Sequence, residues 1–214
     1  MISQKDWPEY KKIAQNVEQG GNRELLINWY DQKYQLFEGG SPAARKCCEL
    51  LYQNLITSDH LQILDVGCGT GDQARLLQSL GVQKASFYGI DMSKAMLESA
   101  KSKKLYKELI DSVLPDIPYP DRYFDIVISA GTLCSPGNAP VETLSEMIRV
   151  TKPSGLLCFS YRLNWFENEE SGWKKTHKQL VQKGLIKELV RQIDAYIPSQ
   201  NISGLYFVCQ KGQL

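Results

Sequence analysis

The chain is poor in histidine. His60 and His177 are its only two, and they lie far apart. Its six cysteines, Cys47, Cys48, Cys68, Cys134, Cys158 and Cys209, form no C-x-x-C pair. Structural zinc needs such residues at close spacing, so no metal site is expected. Thiols scattered through apolar segments read instead as buried and free, in a reducing, cytoplasmic compartment. Neither sign of charge dominates. The 25 lysines and arginines face 24 acids, a net charge of +1. Without a broad basic field, nucleic acid is not an expected partner. No apolar run is long enough to cross a bilayer, so no membrane association is expected. The first ten residues are polar, with Lys5, Asp6 and Glu9, and do not read as a secretory signal. No internal repeat or low-complexity linker is visible.

What is present is a strand that runs into a glycine turn, Ile63-Leu64-Asp65-Val66-Gly67-Cys68-Gly69-Thr70-Gly71-Asp72. Alternating glycines let the backbone turn sharply and approach a ligand closely. A second acid, Asp91, ends another apolar run, Phe87-Tyr88-Gly89-Ile90, twenty residues after Gly71. An acid so placed can accept both ribose hydroxyls of a nucleoside. A dinucleotide fold would want glycine at position 72, but Asp72 stands there. A carboxylate in the first helical turn repels a pyrophosphate. Asp65, two residues before Gly67, suits a cationic ligand. S-adenosylmethionine carries a sulfonium and an ammonium and no phosphate, so charge favours it over NAD. Gly67, Cys68, Gly69 and Gly71 would lie along its methionine and ribose parts. Asp65 would meet its cationic end, directly or through water. Met92 would lie on the adenine face.

Strands alternate with helices along the chain. Strands are expected over 62–66, 86–90, 108–110, 124–129 and 156–161, with helices over 72–80, from Ser93, and over 139–150. The run Phe124–Ser129 is mostly apolar, with Ile126-Val127-Ile128 unbroken, as in a strand covered on both faces. A polar helix is expected over 167–183, with Glu167, Glu169 and Glu170 at its start and lysines toward its end, matching the helix dipole. His177 would then be a surface residue. Two last runs, 186–193 and 205–209, have no helix between them and should pair antiparallel. The pattern predicts an α/β, Rossmann-like, seven-stranded, mostly parallel sheet with helices on both faces and an antiparallel last strand. Residues 1–58 would be an N-terminal arm and lid helices, and 59–214 the ligand-binding domain, as one compact unit. Within the former, 1–20 reads as a flexible arm or loose helix, 22–37 as a lid helix, and Pro42 as the first turn of another.

The segment Asp65–Gly71 resembles the first motif of the class I S-adenosylmethionine-dependent methyltransferases. Asp91-Met92-Ser93 resembles that family's acidic end of strand two. Pro118–Asp125 resembles its run into strand four, and Arg149-Val150-Thr151-Lys152-Pro153-Ser154-Gly155 its turn into strand five. These motifs cover roughly residues 60–162 in the family's order. Tyr30-Asp31-Gln32 and Leu105-Tyr106 add a narrower likeness to the methyltransferase-like group of the Williams–Beuren region. That group often carries two Tyr-Asp pairs in its lid, and here only Tyr30-Asp31 is found. The resemblance implies that Asp111 and Ser112 meet the adenine amino edge. Tyr30 could close over the methionine part, where an aromatic face beside a sulfonium is favourable, or pack on the core. Ala130 and Gly131, ending strand four, would leave room for the cofactor.

Some chemistry is missing. The loop Ser129-Ala130-Gly131-Thr132 lacks the Asn/Asp-Pro-Pro-aromatic pattern of enzymes that methylate adenine or glutamine amines. No acid ends strand four, so a catechol-type magnesium site is not expected. No general base stands out. Tyr161, Arg162, Asn164 and Trp165, after strand five, are the candidate substrate wall. The expected function is methyl transfer to a small-molecule acceptor, with a protein acceptor as the less favoured partner. A cofactor-binding scaffold without catalysis is the alternative.

Overall fold

The computed structural model of the chain describes residues 7–19, 21–22, 24–33, 40–55, 60–133, 138–198 and 201–213. Three helices come first: α1 (Trp7–Glu18), α2 (Glu24–Lys33) and α3 (Pro42–Asn54). Then β1 (Leu61–Val66), α4 (Asp72–Ser79), β2 (Ala85–Asp91), α5 (Lys94–Ser102) and β3 (Tyr106–Asp111) alternate. β4 (Phe124–Ser129), α6 (Thr143–Val150) and β5 (Thr151–Arg162) follow. The chain ends with α7 (Leu163–Glu167), α8 (Trp173–Gln182), β6 (Ile186–Ile197) and β7 (Ile202–Lys211).

The strands form one sheet in the order β3-β2-β1-β4-β5-β7-β6. β1 to β5 are parallel, while β7 runs antiparallel to both β5 and β6. This is the expected seven-stranded Rossmann-like sheet with its reversed last strand. Helices cover both faces. α6, α7 and α8 bury Leu144, Met147, Phe166 and Trp173 on one face, and α3 and α4 bury Cys47, Leu51, Ala74 and Leu77 on the other. β4 is buried along nearly its whole length, which explains the apolar run Ile126-Val127-Ile128; Asp125, half-buried, accepts from the Gln62 N–H and Lys152 Nζ.

Several boundaries differ from expectation. The polar helix over 167–183 is broken: α7 ends at Glu167, and Gly172 adopts φ 75° before α8 begins. β6 extends to Ile197 because an edge strand tolerates the polar residues Arg191, Gln192 and Asp194. The N-terminal arm forms a helix, α1. Tyr10, Ile13 and Val17 recur at helical spacing and pack with Leu26, Trp29 and Met92 in a small third core. The second half of the expected lid helix, residues 34–37, lies outside the described residues, as does Cys134. His177 is not a surface residue. It is buried among Phe159, Tyr161, Phe166 and Phe207, and its Nε2 sits 2.8 Å from Glu188 Oε1. The helix around it turns its lysines outward and this one ring inward. Burial lowers its pKa against the opposing pull of Glu188.

Asp31 of α2 fastens the N-terminal helices to the sheet domain. Its Oδ1 accepts from Ser93 Oγ at 2.6 Å and from the Ala95 N–H at 3.2 Å. Ser93 Oγ in turn accepts from the Met96 N–H at 3.2 Å. Two orphan donors at the start of α5 are thus satisfied by two side chains, one of them anionic. Asp31→Ala should lower stability by about 1 kcal/mol, the usual cost of a lost cap. Urea unfolding reads this as a lower midpoint at unchanged slope; an unchanged midpoint would show that the contact does not hold α2 to the sheet domain.

Candidate functional site

A cavity of about 200 Å³ opens at the carboxyl ends of β2, β1, β4 and β5. Open α/β sheets gather ligands at this edge. The glycine turn forms part of its wall. Gly67 adopts φ 71° and Gly69 φ 53°, the left-handed region that favours glycine. A Cβ on Gly67 would lie 2.1 Å from Thr132 Oγ1, so this glycine allows β1 and the loop after β4 to meet. A Cβ on Gly69 would touch only Met96 Sδ at 3.7 Å. That backbone is therefore open to close approach by a ligand.

Asp91 lies on the cavity wall. Its Oδ2 accepts from the Gly69 N–H at 2.8 Å, and its Oδ1 from the Ser93 N–H at 2.9 Å. Burial raises its pKa, and the backbone donors of Ser93, Gly69 and Met92 offset part of that rise. Each carboxylate oxygen keeps acceptor capacity beyond its one backbone bond.

Asp65 is placed differently. It is 1% exposed and sits beneath the turn, off the cavity wall. Tyr106 donates its hydroxyl to Oδ2 at 2.7 Å, and Gln73 donates Nε2 to Oδ1 at 2.5 Å. Burial pushes its pKa up to about 7; the charges of Asp91 and Asp72 act the same way, and the Tyr106 and Gln73 donors oppose them. Gln73 itself lines the cavity, and its buried Oε1 has no hydrogen-bond partner among the described residues. Asp65 thus reaches the cavity through Gln73. A buried, unpaired acceptor beside an open glycine backbone and a ribose-type acid fits the ammonium and nucleoside of S-adenosylmethionine.

Of the remaining cofactor candidates, Cys68, Met92, Ser112, Ala130 and Gly131 line the cavity, while Gly71 is off its wall, where a Cβ would lie 3.0 Å from Tyr106 Cε2. Ser112 donates its N–H to Asp91 O at 3.0 Å and its hydroxyl to Asp116 O at 2.8 Å. Gly131 donates its N–H to Ser160 Oγ at 3.3 Å. Asp111 does not join them. It is exposed at the end of β3, with Lys94 Nζ 3.8 Å away. The Tyr30 side chain lies outside the described residues.

The four-residue substrate wall comes apart. Arg162 alone lines the cavity. Successive side chains of a strand face opposite sides, so Tyr161 points away. It packs against Phe166 at 5.0 Å and Trp173 at 5.2 Å, and burial lifts its phenol pKa well above normal. The chain then enters α7, where Asn164 is exposed and Trp165 half-buried.

Several wall residues, Gln73 among them, escaped the sequence reading. Tyr10 of α1 donates its hydroxyl to Asn138 Oδ1 at 3.2 Å, tying the N-terminal helix to the segment before α6. Its signal was the helical spacing with Ile13 and Val17. Tyr196 and Ile197 end β6, beyond its expected limit. Asp72, read as repelling a pyrophosphate, also accepts from the Gly40 N–H at 2.9 Å and from Thr70 Oγ1 at 3.1 Å. It thereby draws the chain before α3 toward the turn.

Sheet order, reversed last strand and ligand-edge acids define the fold of the Rossmann-like methyltransferases. Residues 64–159 match the family model described as the methyltransferase domain. Residues 64–159 thus form a class I S-adenosylmethionine-dependent methyltransferase domain. It is similar to human methyltransferase-like protein 27, at 36% identity over 69% of this chain and 60% of that protein. It is similar to the demethylmenaquinone methyltransferase of Symbiobacterium thermophilum, at 32% identity over 69% of this chain and 61% of the relative. The matched part therefore spans about three fifths of these curated relatives. Among solved structures, magnesium protoporphyrin IX methyltransferase from Synechocystis PCC 6803, with bound S-adenosylmethionine, superposes with TM-score 0.65. That match has 13% identity and covers 89% of this chain and 97% of the other. It speaks for the fold.

Asp65 makes stability depend on pH. Its native pKa of about 7 lies above the ordinary carboxylate value. Between about pH 4 and 7 the unfolded chain has lost the proton that the native chain keeps, so native stability falls as pH rises. Asp65→Asn removes this titration. Urea unfolding of both proteins at pH 5 and pH 8 should show the wild type losing more stability toward pH 8 than the variant. Parallel changes in the two would place the Asp65 pKa near its ordinary value.

Proposed function

We propose that this chain transfers a methyl group from S-adenosylmethionine to a small-molecule acceptor. The observation that carries the reading is the cavity wall, with Asp91 and the open glycine turn on one side and Arg162 with Tyr196 on the other. Asp91 would accept the ribose hydroxyls. Met92 and Ser112 would border the adenine. The backbone from Gly67 to Gly71 would hold the methionine part, with Gln73 Oε1 taking the ammonium and Asp65 orienting Gln73. When bound, the cofactor supplies an activated methyl group on a sulfonium, and the protein supplies alignment and a dry pocket.

The small-molecule acceptor is supported by the cavity's buried walls and by a relative whose name gives a quinone-type acceptor, demethylmenaquinone. We assign α1 and α2 as a lid over the 59–214 domain. Asp31 fastens α2 to the start of α5, and the Tyr10–Asn138 bond holds α1 against the cavity. Tyr30, next to Asp31, would complete that lid. The five described cysteines are buried and unpaired, which supports a reducing, cytoplasmic setting. No helix among the described residues is long and apolar enough to cross a membrane.

Calorimetric titration with S-adenosylhomocysteine tests the cofactor site. Asp91→Ala should weaken binding about tenfold to a hundredfold, the worth of hydrogen bonds to a charged acceptor. Its thermal midpoint reports separately on the turn that Asp91 braces. Wild-type protein that binds neither S-adenosylmethionine nor its product would overturn the reading. Binding without methyl transfer into a metabolite extract would leave a scaffold.

A further inference from the structure

The acceptor side of the cavity carries a buried cation. Arg162 ends β5 and is 8% exposed. Among the described residues that line the cavity, it is the one cationic side chain. Its guanidinium carbon stands 5.9 Å from the centre of the Tyr196 ring, which also lines the cavity. Room for that ring is made by Gly204 of β7, where a Cβ would lie 2.7 Å from Tyr196 Cδ2. Three strands thus combine to set one guanidinium at the cavity wall.

Arg162 is far from the nucleoside acid. Asp91 ends β2, and β1 and β4 separate that strand from β5. Three strand spacings put the two strand ends about 14 Å apart. The acids on the wall, Asp91 and Asp72, are engaged by the backbone of Gly69, Ser93 and Gly40 around the glycine turn. The acids of the described wall thus gather around the glycine turn, and its cation stands at the end of β5. The same wall carries the apolar side chains of Ala43, Ala44 and Ile197. A buried guanidinium holds a carboxylate more strongly than an exposed one, and its planar fork matches two carboxylate oxygens.

We propose that Arg162 and Tyr196 form an acceptor subsite for a carboxylate on a small molecule with an apolar body. The proposal rests on the methyltransferase reading for the word acceptor, but the subsite can be measured without turnover. Benzoate is the probe, benzamide its neutral isostere and phenyl phosphate the alternative anion. Ligand-observed NMR on the full chain, saturated with S-adenosylhomocysteine, gives their relative affinities. Benzoate should bind at least tenfold more tightly than benzamide. Arg162→Gln should remove that preference, and Arg162→Lys should restore only part of it, because the charge returns without the fork. Calorimetry on the same samples should show S-adenosylhomocysteine affinity within about twofold of wild type in both variants.

Equal binding of benzoate and benzamide, no benzoate binding to wild type, or an undiminished preference in Arg162→Gln would overturn the subsite. Tighter binding of phenyl phosphate than of benzoate would overturn the carboxylate assignment. If Arg162→Gln does not fold, the benzoate–benzamide comparison on wild type decides alone. Absence of S-adenosylhomocysteine binding by wild type would instead strike the cofactor reading, and that titration is separate.

Discussion

Asp91 joins two turns that would otherwise be independent. One carboxylate oxygen accepts from Gly69, in the turn after β1, and the other from Ser93, at the start of α5. The β1 turn is also tied to β2 through its backbone, because Gly67 and Cys68 both donate to Ile90 O, at 2.9 and 3.0 Å. A left-handed backbone at Gly67 and Gly69 costs conformational entropy on folding, and these four bonds offset it. Ser93 then passes the connection on. It caps α5 and donates to Asp31, which belongs to the N-terminal helices. A single run of contacts thus links the glycine turn, Asp91, the start of α5 and the N-terminal helix α2.

The two strand-end acids have unlike roles because they sit at unlike depths. Asp65 lies within the parallel ladder, opposite Gly89. Its side chain meets Tyr106 and Gln73 and is removed from water. Asp91 stands at the last position of β2, where the strand opens toward the cavity. A buried carboxylate without a cation beside it favours its protonated form, which is the state that burial and the neighbouring acids push Asp65 toward. Positioning Gln73 does not require Asp65 to be charged, since a neutral carboxyl oxygen still accepts a hydrogen bond.

The parts of the chain that could be read in advance were those where local chemistry and burial agree. β1 and β4 are mostly apolar because both their faces are covered, and Ser93 caps α5 as its position before the apolar residues Met96 and Ala100 suggests. The pairing of the last two strands followed from the short link between them. The misreadings arose where tertiary contacts decide. Tyr161 and Arg162 are neighbours of similar promise, and only the pleat of β5 sends one into the aromatic core and the other to the cavity. His177 is surrounded in sequence by lysines, yet one helical face turns it toward Phe207, 4.3 Å away. Asp111 has the right spacing for a ligand acid, but the edge strand β3 leaves it in solvent. Tyr10 lies in a polar segment, and its partner Asn138 is 128 residues away.

The reversed strand has a consequence for the site that its sequence does not announce. β7 runs antiparallel to β5 and β6 runs antiparallel to β7, so β6 is parallel to β5. The carboxyl end of β6 therefore returns to the same edge as the carboxyl ends of β1, β4 and β5. In register, Arg162 pairs with Gly204, and Gly204 pairs with Asp194. Tyr196 stands two residues further along β6, in the bulge between Ala195 and Ile197, with its ring over Gly204 and 5.9 Å from the Arg162 guanidinium carbon. A side chain on Gly204 would block that path. Inserting one antiparallel strand thus widens the ligand edge by two strands and brings an aromatic ring to its far end. The glycine turn holds one side of the cavity in a form set by backbone hydrogen bonds, while the β5–β6 side is lined by the side chains of Arg162 and Tyr196.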